Sequence, residues 1–244
     1  MKLYLPCLQC KLDGLNDTFV QMEFDESNTY KVECDNGHKN IIIVEQEHFE
    51  ILYELGAMAL LDSYTREAVS SFATSVERFH EYCIKVILNA MGVDEKTCTD
   101  TWKYVSRYSE RQLGAFYFLY LSYFKRTPKN FHQTWSEFRN KVIHNGYIPK
   151  HDEARNYAKH VYDYIIETIS ELKETCESSM RKVAKRKNIP KTELAGYKPS
   201  FWSLPTMIDL QMGKVISPNS IFSNITFDEA LERLKIKMET WYRK

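Results

Sequence analysis

Two groups of residues have the types and spacing to do chemistry. In the first, Arg139-Asn140-Lys141-Val142-Ile143-His144, a guanidinium, an amide and an imidazole share one short stretch that ends at Asn145-Gly146. On a helix, at about 100° per residue, Asn140 and His144 stack on one face, opposite the apolar stripe of Trp135, Phe138 and Val142. Arg139 sits at the edge of that stripe with a side chain long enough to reach round. A guanidinium can grip a phosphate through paired charge-assisted hydrogen bonds, and an imidazole moves protons near neutral pH. Asn140, one turn before His144, could orient the ring. The plainer reading is a solvated helix end, with His144 favourably placed near the C-terminal dipole and Gly146 as the stop. Arg155-Asn156 and His160 repeat the spacing. That second match lies inside a long regular helix, whereas the first closes its helix and runs into Tyr147-Ile148-Pro149, so Arg139 and His144 are the preferred pair.

The second group is Cys7-x2-Cys10 with Cys34-Asp35-Asn36-Gly37-His38. Each half is a knuckle, and an intervening hairpin separates them. Four N/S donors at this spacing suit a tetrahedral zinc, and a segment of this length has too little core to stand without a staple. A structural zinc on Cys7, Cys10, Cys34 and His38 is expected, in the manner of a zinc ribbon.

The Arg139-Asn140-x3-His144 stretch resembles the R-x4-H motif of the HEPN superfamily, metal-independent endoribonucleases built on a helical bundle. The resemblance implies a catalytic role for Arg139, Asn140 and His144 in attack by the RNA 2′-OH, with no catalytic metal. It also implies an acidic residue on an early helix, for which Glu77 is the candidate. It further implies a homodimer that pairs two motifs across a two-fold and a toxin or antiviral role on RNA such as tRNA. The alternative is a non-catalytic HEPN-like module that binds a protein or a nucleotide, for which a regulatory partner protein is expected.

Composition sets the frame for these sites. The chain has 244 residues, equal numbers of acidic and basic side chains, abundant aromatics and few glycines and prolines. Such a balance excludes bulk coating of nucleic acid, leaving RNA contacts to local surfaces. The longest apolar run, Leu113 to Leu121, is too short to span a bilayer, and the N-terminus lacks a signal pattern, so a cytoplasmic protein without a membrane segment is expected. Cys83, Cys98 and Cys176 have no motif spacing and read as reduced thiols.

The expected fold is mainly α: a zinc-ribbon-like β module over 1–45, a HEPN-like bundle over 46–189 and an extension over 190–244. Strands are expected at Phe19–Phe24, Tyr30–Cys34 and Asn40–Val44, with turns at Asp13-Gly14 and Asn36-Gly37. A helix from His48 carries the stripe Phe49, Leu52, Leu55, Ala59 and breaks near Asp62-Ser63. A second runs Thr65 to Met91, with Ala68, Phe72, Val76, Phe79, Cys83, Val86 and Ala90 at three-to-four spacing, and stops at Gly92. Ser109-Glu110-Arg111-Gln112 reads as a capping box opening a helix from Leu113 to Phe124, whose all-round apolar character predicts burial at the bundle centre. Helices over Phe131–His144 and His151 to about Lys187 follow, the latter with Ala154, Ala158, Val161, Ile165, Leu172 and Cys176 as its inner face and with the basic run Arg181 to Lys187, and Lys191 just beyond, at its end. Residues 190 to 225 read as a docked arm or a dimer contact. A last helix, Phe227–Tyr242, is capped by Thr226 and Glu229.

Overall fold

Two long amphipathic helices set the architecture. In the computed structural model, which describes residues 2–15, 19–131, 133–184, 197–210 and 225–242, α3 (Thr65–Ala90) packs along α7 (His151–Ala184). Their apolar stripes are those expected: Ala68, Phe72, Val76, Phe79, Cys83 and Val86 meet Ala154, Ala158, Val161, Ile165, Leu172 and Cys176 in one core. The larger of these side chains, such as Phe72, Phe79, Ile165 and Leu172, contribute roughly 1.5–3 kcal/mol each when fully buried. Gly92 stops the first helix at φ +82°, a conformation that glycine adopts without a Cβ penalty. Thr65 Oγ1 donates to the Pro149 carbonyl at 2.8 Å, tying the starts of the two helices together.

Around this pair lie α2 (His48–Leu61), α4 (Glu95–Trp102), α5 (Ser109–Phe124), α6 (Gln133–His144) and α8 (Phe227–Lys237), the last continuing as a π turn over Met238–Tyr242. Thr226 and Glu229 do form the expected reciprocal cap of α8. Three expectations fail. In α2 the buried face is Phe49, Ile51, Tyr53, Ala57 and Leu60 instead of the Phe49-Leu52-Leu55-Ala59 stripe, because the helix is packed on two sides. Its Ile51 belongs to a separate cluster under the strands. In α5 only Gln112, Phe116 and Tyr120 are buried. The helix lies on α3 with its outer side uncovered, so Phe118 is 75 % exposed and Leu121 44 %. It also begins at Ser109, not Leu113, and without a side-chain cap; the Gln112 amide instead donates to the Ser106 carbonyl at 2.8 Å.

The strands form two small sheets. β1 (Lys2–Pro6) pairs antiparallel with β2 (Phe19–Glu23), and α1 (Leu8–Leu12) lies between them in sequence. β3 (Thr29–Glu33) pairs antiparallel with β4 (Lys39–Val44), which also takes a parallel partner, β5 (Lys198–Trp202), from the far end of the chain. Leu3, Leu5, Tyr30, Val32, Ile42 and Val44 are buried together with Ile51 of α2 and Leu204 beyond β5. Residues 1–45 therefore share their core with the bundle and the extension.

The extension is a docked arm, one of the two roles its apolar residues suggested. After β5 it is clasped by three side chains at four-residue intervals. Gln46 donates to Ser203 Oγ (2.9 Å) and the Leu204 carbonyl (2.8 Å) and accepts from the Leu204 N–H (2.8 Å). Glu50 accepts from the Leu210 N–H at 2.7 Å, and Glu54 accepts from the Met207 N–H at 2.9 Å while pairing with Lys237 at 2.7 Å. Burial, with Asp209 as a like-charged neighbour, pushes the Glu50 carboxyl well above the usual carboxylate range. The expected arm residues Ile221 and Phe222, and the basic run from residue 185 to Lys191, lie outside the described residues. Of that run, Arg181 pairs with Glu177 on its own helix.

Candidate metal centre and candidate active site

The strands and the short α1 exist in a form that gathers four donors. Cys7 is the N-cap of α1 and Cys10 lies within it, so one turn of helix brings both sulfurs to the same side. Cys34 follows β3, and a tight turn with Gly37 at φ +75° brings His38 back, closed by Gly37 N–H to the Cys34 carbonyl at 2.8 Å. The four donor atoms all lie within 4.8 Å of one another. Cys10 Sγ is 3.6 Å from Cys34 Sγ, and His38 Nδ1 is 3.7, 3.3 and 3.6 Å from the sulfurs of Cys7, Cys10 and Cys34. A tetrahedral zinc with ordinary bond lengths has edges of about 3.8 Å between sulfurs and about 3.5 Å from sulfur to nitrogen. The Cys10–Cys34 edge and the three edges from His38 are close to those dimensions, and the cluster could bind a metal such as zinc.

Surrounding groups fit an anionic thiolate set. Asn36 Nδ2 donates to Cys10 Sγ at 3.2 Å and Asn40 Nδ2 to Cys7 Sγ at 3.3 Å. His38 turns Nε2 to Asp13 Oδ2 at 3.4 Å, which leaves Nδ1 aimed at the sulfurs. Such outer partners fix the ring tautomer and delocalise thiolate charge. In the protein alone, burial and then the neighbouring thiols push the Cys7 thiol up; a cation would reverse that preference. Sequence reasoning named the four donors and missed Asn36, Asn40 and Asp13, whose side chains carry no motif of their own.

The second site is built on α6. Val142 is fully buried, and Trp135 and Phe138 pack on Tyr157 of α7, with ring centroids 5.8 and 5.5 Å apart. This contact turns Arg139 toward α3, where its Nη2 pairs with Glu77 Oε1, while Nη1 donates to Asn140 Oδ1 at 2.9 Å. Arg139 and Glu77 retain 23 % and 26 % side-chain exposure, so the pair is reachable from solvent. The structure thus brings Glu77, Arg139 and Asn140 together. His144, one helical turn beyond Asn140, is exposed at the last turn of α6. That turn is closed by Tyr147 N–H to the Lys141 carbonyl at 3.2 Å, with Lys141 Nζ 3.8 Å from the Tyr147 ring centroid.

The competing match is arranged differently. Arg155 pairs with Asp228 of α8 at 2.5 Å, and His160 stacks on Trp135 with centroids 5.1 Å apart. One fastens α8 to α7 and the other packs under α6, so the two do not face a common surface. Nor is His80 available for catalysis: it is buried against Phe116 and Tyr164, and burial lowers its pKa to about 3. A hollow of about 330 Å³ at Glu47, Arg78, Glu81, Lys85 and Trp102 is also no obvious anion site, since Arg78 and Lys85 are both paired with Glu81.

Comparison with protein-family models, with curated proteins and with solved structures gave no match. Among the described residues, no helix is long and apolar enough to cross a membrane.

Proposed function

We propose that this chain is a metal-independent endoribonuclease of HEPN type whose N-terminal cluster holds one structural zinc. The observation that carries the reading is the array of Arg139 and Asn140, on the helix that presents His144 to solvent, with Glu77 of α3. RNA carries its own nucleophile, so cleavage needs a base at the 2′-OH, a cation at the phosphate and a proton for the leaving 5′-oxygen. His144 takes the 2′-OH proton. Arg139, held by Glu77, offers its remaining N–H donors to the phosphate, and solvent or a second imidazole protonates the leaving oxygen. The setting implied is a toxin or antiviral effector acting on RNA such as tRNA.

Cys7, Cys10, Cys34 and His38 would hold the zinc, with Asn36, Asn40 and Asp13 supporting. When bound, it would neutralise thiolate charge and fix the two knuckles, apart from the cleavage site.

Purified protein and a His144→Ala variant incubated with total RNA test the activity. The expected result is cleavage by the parent alone, without added magnesium, leaving 2′,3′-cyclic phosphate ends and sparing DNA, which lacks the 2′-OH. Undiminished cleavage by the variant, or a strict magnesium requirement with cleavage of DNA, would overturn the assignment. One observation favours a non-catalytic alternative: the Arg139–Glu77 pair also bridges α6 to α3 and could serve as a clamp alone.

A further inference from the structure

Between α4 and α5 the chain turns through Lys103-Tyr104-Val105-Ser106-Arg107-Tyr108, with Arg111 on the first turn of α5. Two aromatic rings are interleaved there with three cations, and Glu110 is the one acid between positions 103 and 112. In a chain of zero net charge this is a local positive excess. Tyr104 is 78 % exposed and Tyr108 51 %, and Arg107 and Arg111 are exposed beside them. Lys103 pairs with Asp100 at 2.7 Å, whereas neither Arg107 nor Arg111 has an ion pair among the described residues. The Arg111 guanidinium lies 4.2 Å from the centroid of the Tyr108 ring, and its Nη1 donates to the Tyr104 carbonyl at 3.2 Å.

These exposed groups stand on a braced connector. Short-range bonds close it on itself: the Tyr104 N–H donates to the Thr101 carbonyl at 3.1 Å, Ser106 to Trp102 at 2.9 Å and Tyr108 to Val105 at 3.2 Å. The buried Gln112 fastens it to the bundle, donating to the Ser106 carbonyl at 2.8 Å while accepting from Arg78 of α3 at 3.4 Å. Trp102 packs on the core at its start. Rings and cations held in this way lose little freedom when a ligand settles on them. Together they offer π faces for flat groups and positive charge for anions, which is the pairing that a strand of bases and phosphates needs. A duplex keeps its base faces stacked inside, so a single strand is the form that fits.

We propose that the connector from Lys103 to Arg111 binds single-stranded nucleic acid, with Tyr104 and Tyr108 stacking on bases and Arg107 and Arg111 at the phosphates. The site rests on these residues and not on Glu77, Arg139 or His144, so strands that lack a free 2′-OH test it with no cleavage to interfere. Fluorescence anisotropy of the full chain with labelled oligo(dT) of about twelve nucleotides should show saturable binding with a Kd of about 1–100 µM. A 2′-O-methyl oligo(U) should bind alike, because the rings and charges do not read the sugar, and a duplex of equal length should bind at least about tenfold more weakly. Tyr104→Ala and Tyr108→Ala should each weaken binding about tenfold, while the phenylalanine variants keep it. Arg107→Gln and Arg111→Gln should each reduce the slope of log affinity against log salt by about 0.7. All four side chains are exposed, so melting temperatures should stay at the parent's value. No binding of either strand at about 100 µM, equal affinity for the duplex, or alanine variants that bind like the parent would overturn the proposal.

Discussion

Replacing Cys10 with serine removes the donor at the centre of the thiol cluster, 3.6 Å from Cys34 and 3.3 Å from His38. In isolated zinc modules the ion contributes an apparent 10–16 kcal/mol or so, enough to decide between folded and unfolded. Here the effect should be smaller and local. The strands also rest on eight buried side chains, from Leu3 and Leu5 to Ile51 and Leu204, each worth about 1.5–3 kcal/mol. The core of α3 and α7 shares none of them. Loss of the ion should therefore loosen the two knuckles and the sheet edges while the bundle stays folded. Elemental analysis should find one zinc per chain in the parent and much less in Cys10→Ser. Hydrogen exchange should show lost protection at residues 7–10 and 34–38, with partial loss in β4 and β5, and unchanged protection in α3 and α7. A parent without zinc, or a variant with unaltered exchange at both knuckles, would refute the reasoning.

Three further outcomes are expected. Glu77→Gln and Arg139→Ala should each cost under about 1 kcal/mol in denaturant unfolding, since the pair is partly exposed and screened, yet should reduce RNA cleavage at least about a hundredfold; large destabilisation with cleavage intact would identify a clamp. Gln46→Ala removes three hydrogen bonds from a fully buried amide and should cost about 2–4 kcal/mol, read as a shift in urea midpoint together with faster exchange at Leu204. Glu50 is a carboxyl whose pKa is raised on folding, so the folded state binds more protons and stability should fall as pH rises above the ordinary carboxylate range. Melting temperature against pH should show that decline in the parent and a shallower one in Asp209→Asn; a parent curve rising through that range would contradict it.

The sequence was most informative where a local rule decides the outcome. The stripes of α3 and α7, the glycine turn before His38 and the cap at Thr226 depend on neighbours within a few residues, and all were expected. The metal donors were legible for the same reason, because each knuckle is a short fixed spacing. Other features depend on what lies opposite. The apolar run of α5 predicts burial only if another element covers its far side, and none does among the described residues. Likewise β5 has no signature apart from its partner, β4, and Gln46, Glu50 and Glu54 read as surface residues until the arm lies across them. Glu77 was named by resemblance alone, and its contact with Arg139 depends on the crossing of α3 and α6.

The docked arm bears on the order in which the molecule can be made. Gln46 and Leu204 meet across 158 positions, and β4 cannot gain its outer neighbour until β5 has left the ribosome. At roughly 5–20 residues per second, that interval lasts about 8–30 s. Throughout it, the edge that carries Ile41, Ile42 and Ile43 is an open template for any passing strand. Slowing synthesis between the two segments should increase aggregation of the nascent chain, and supplying residues 197–210 as a separate peptide during translation should reduce it.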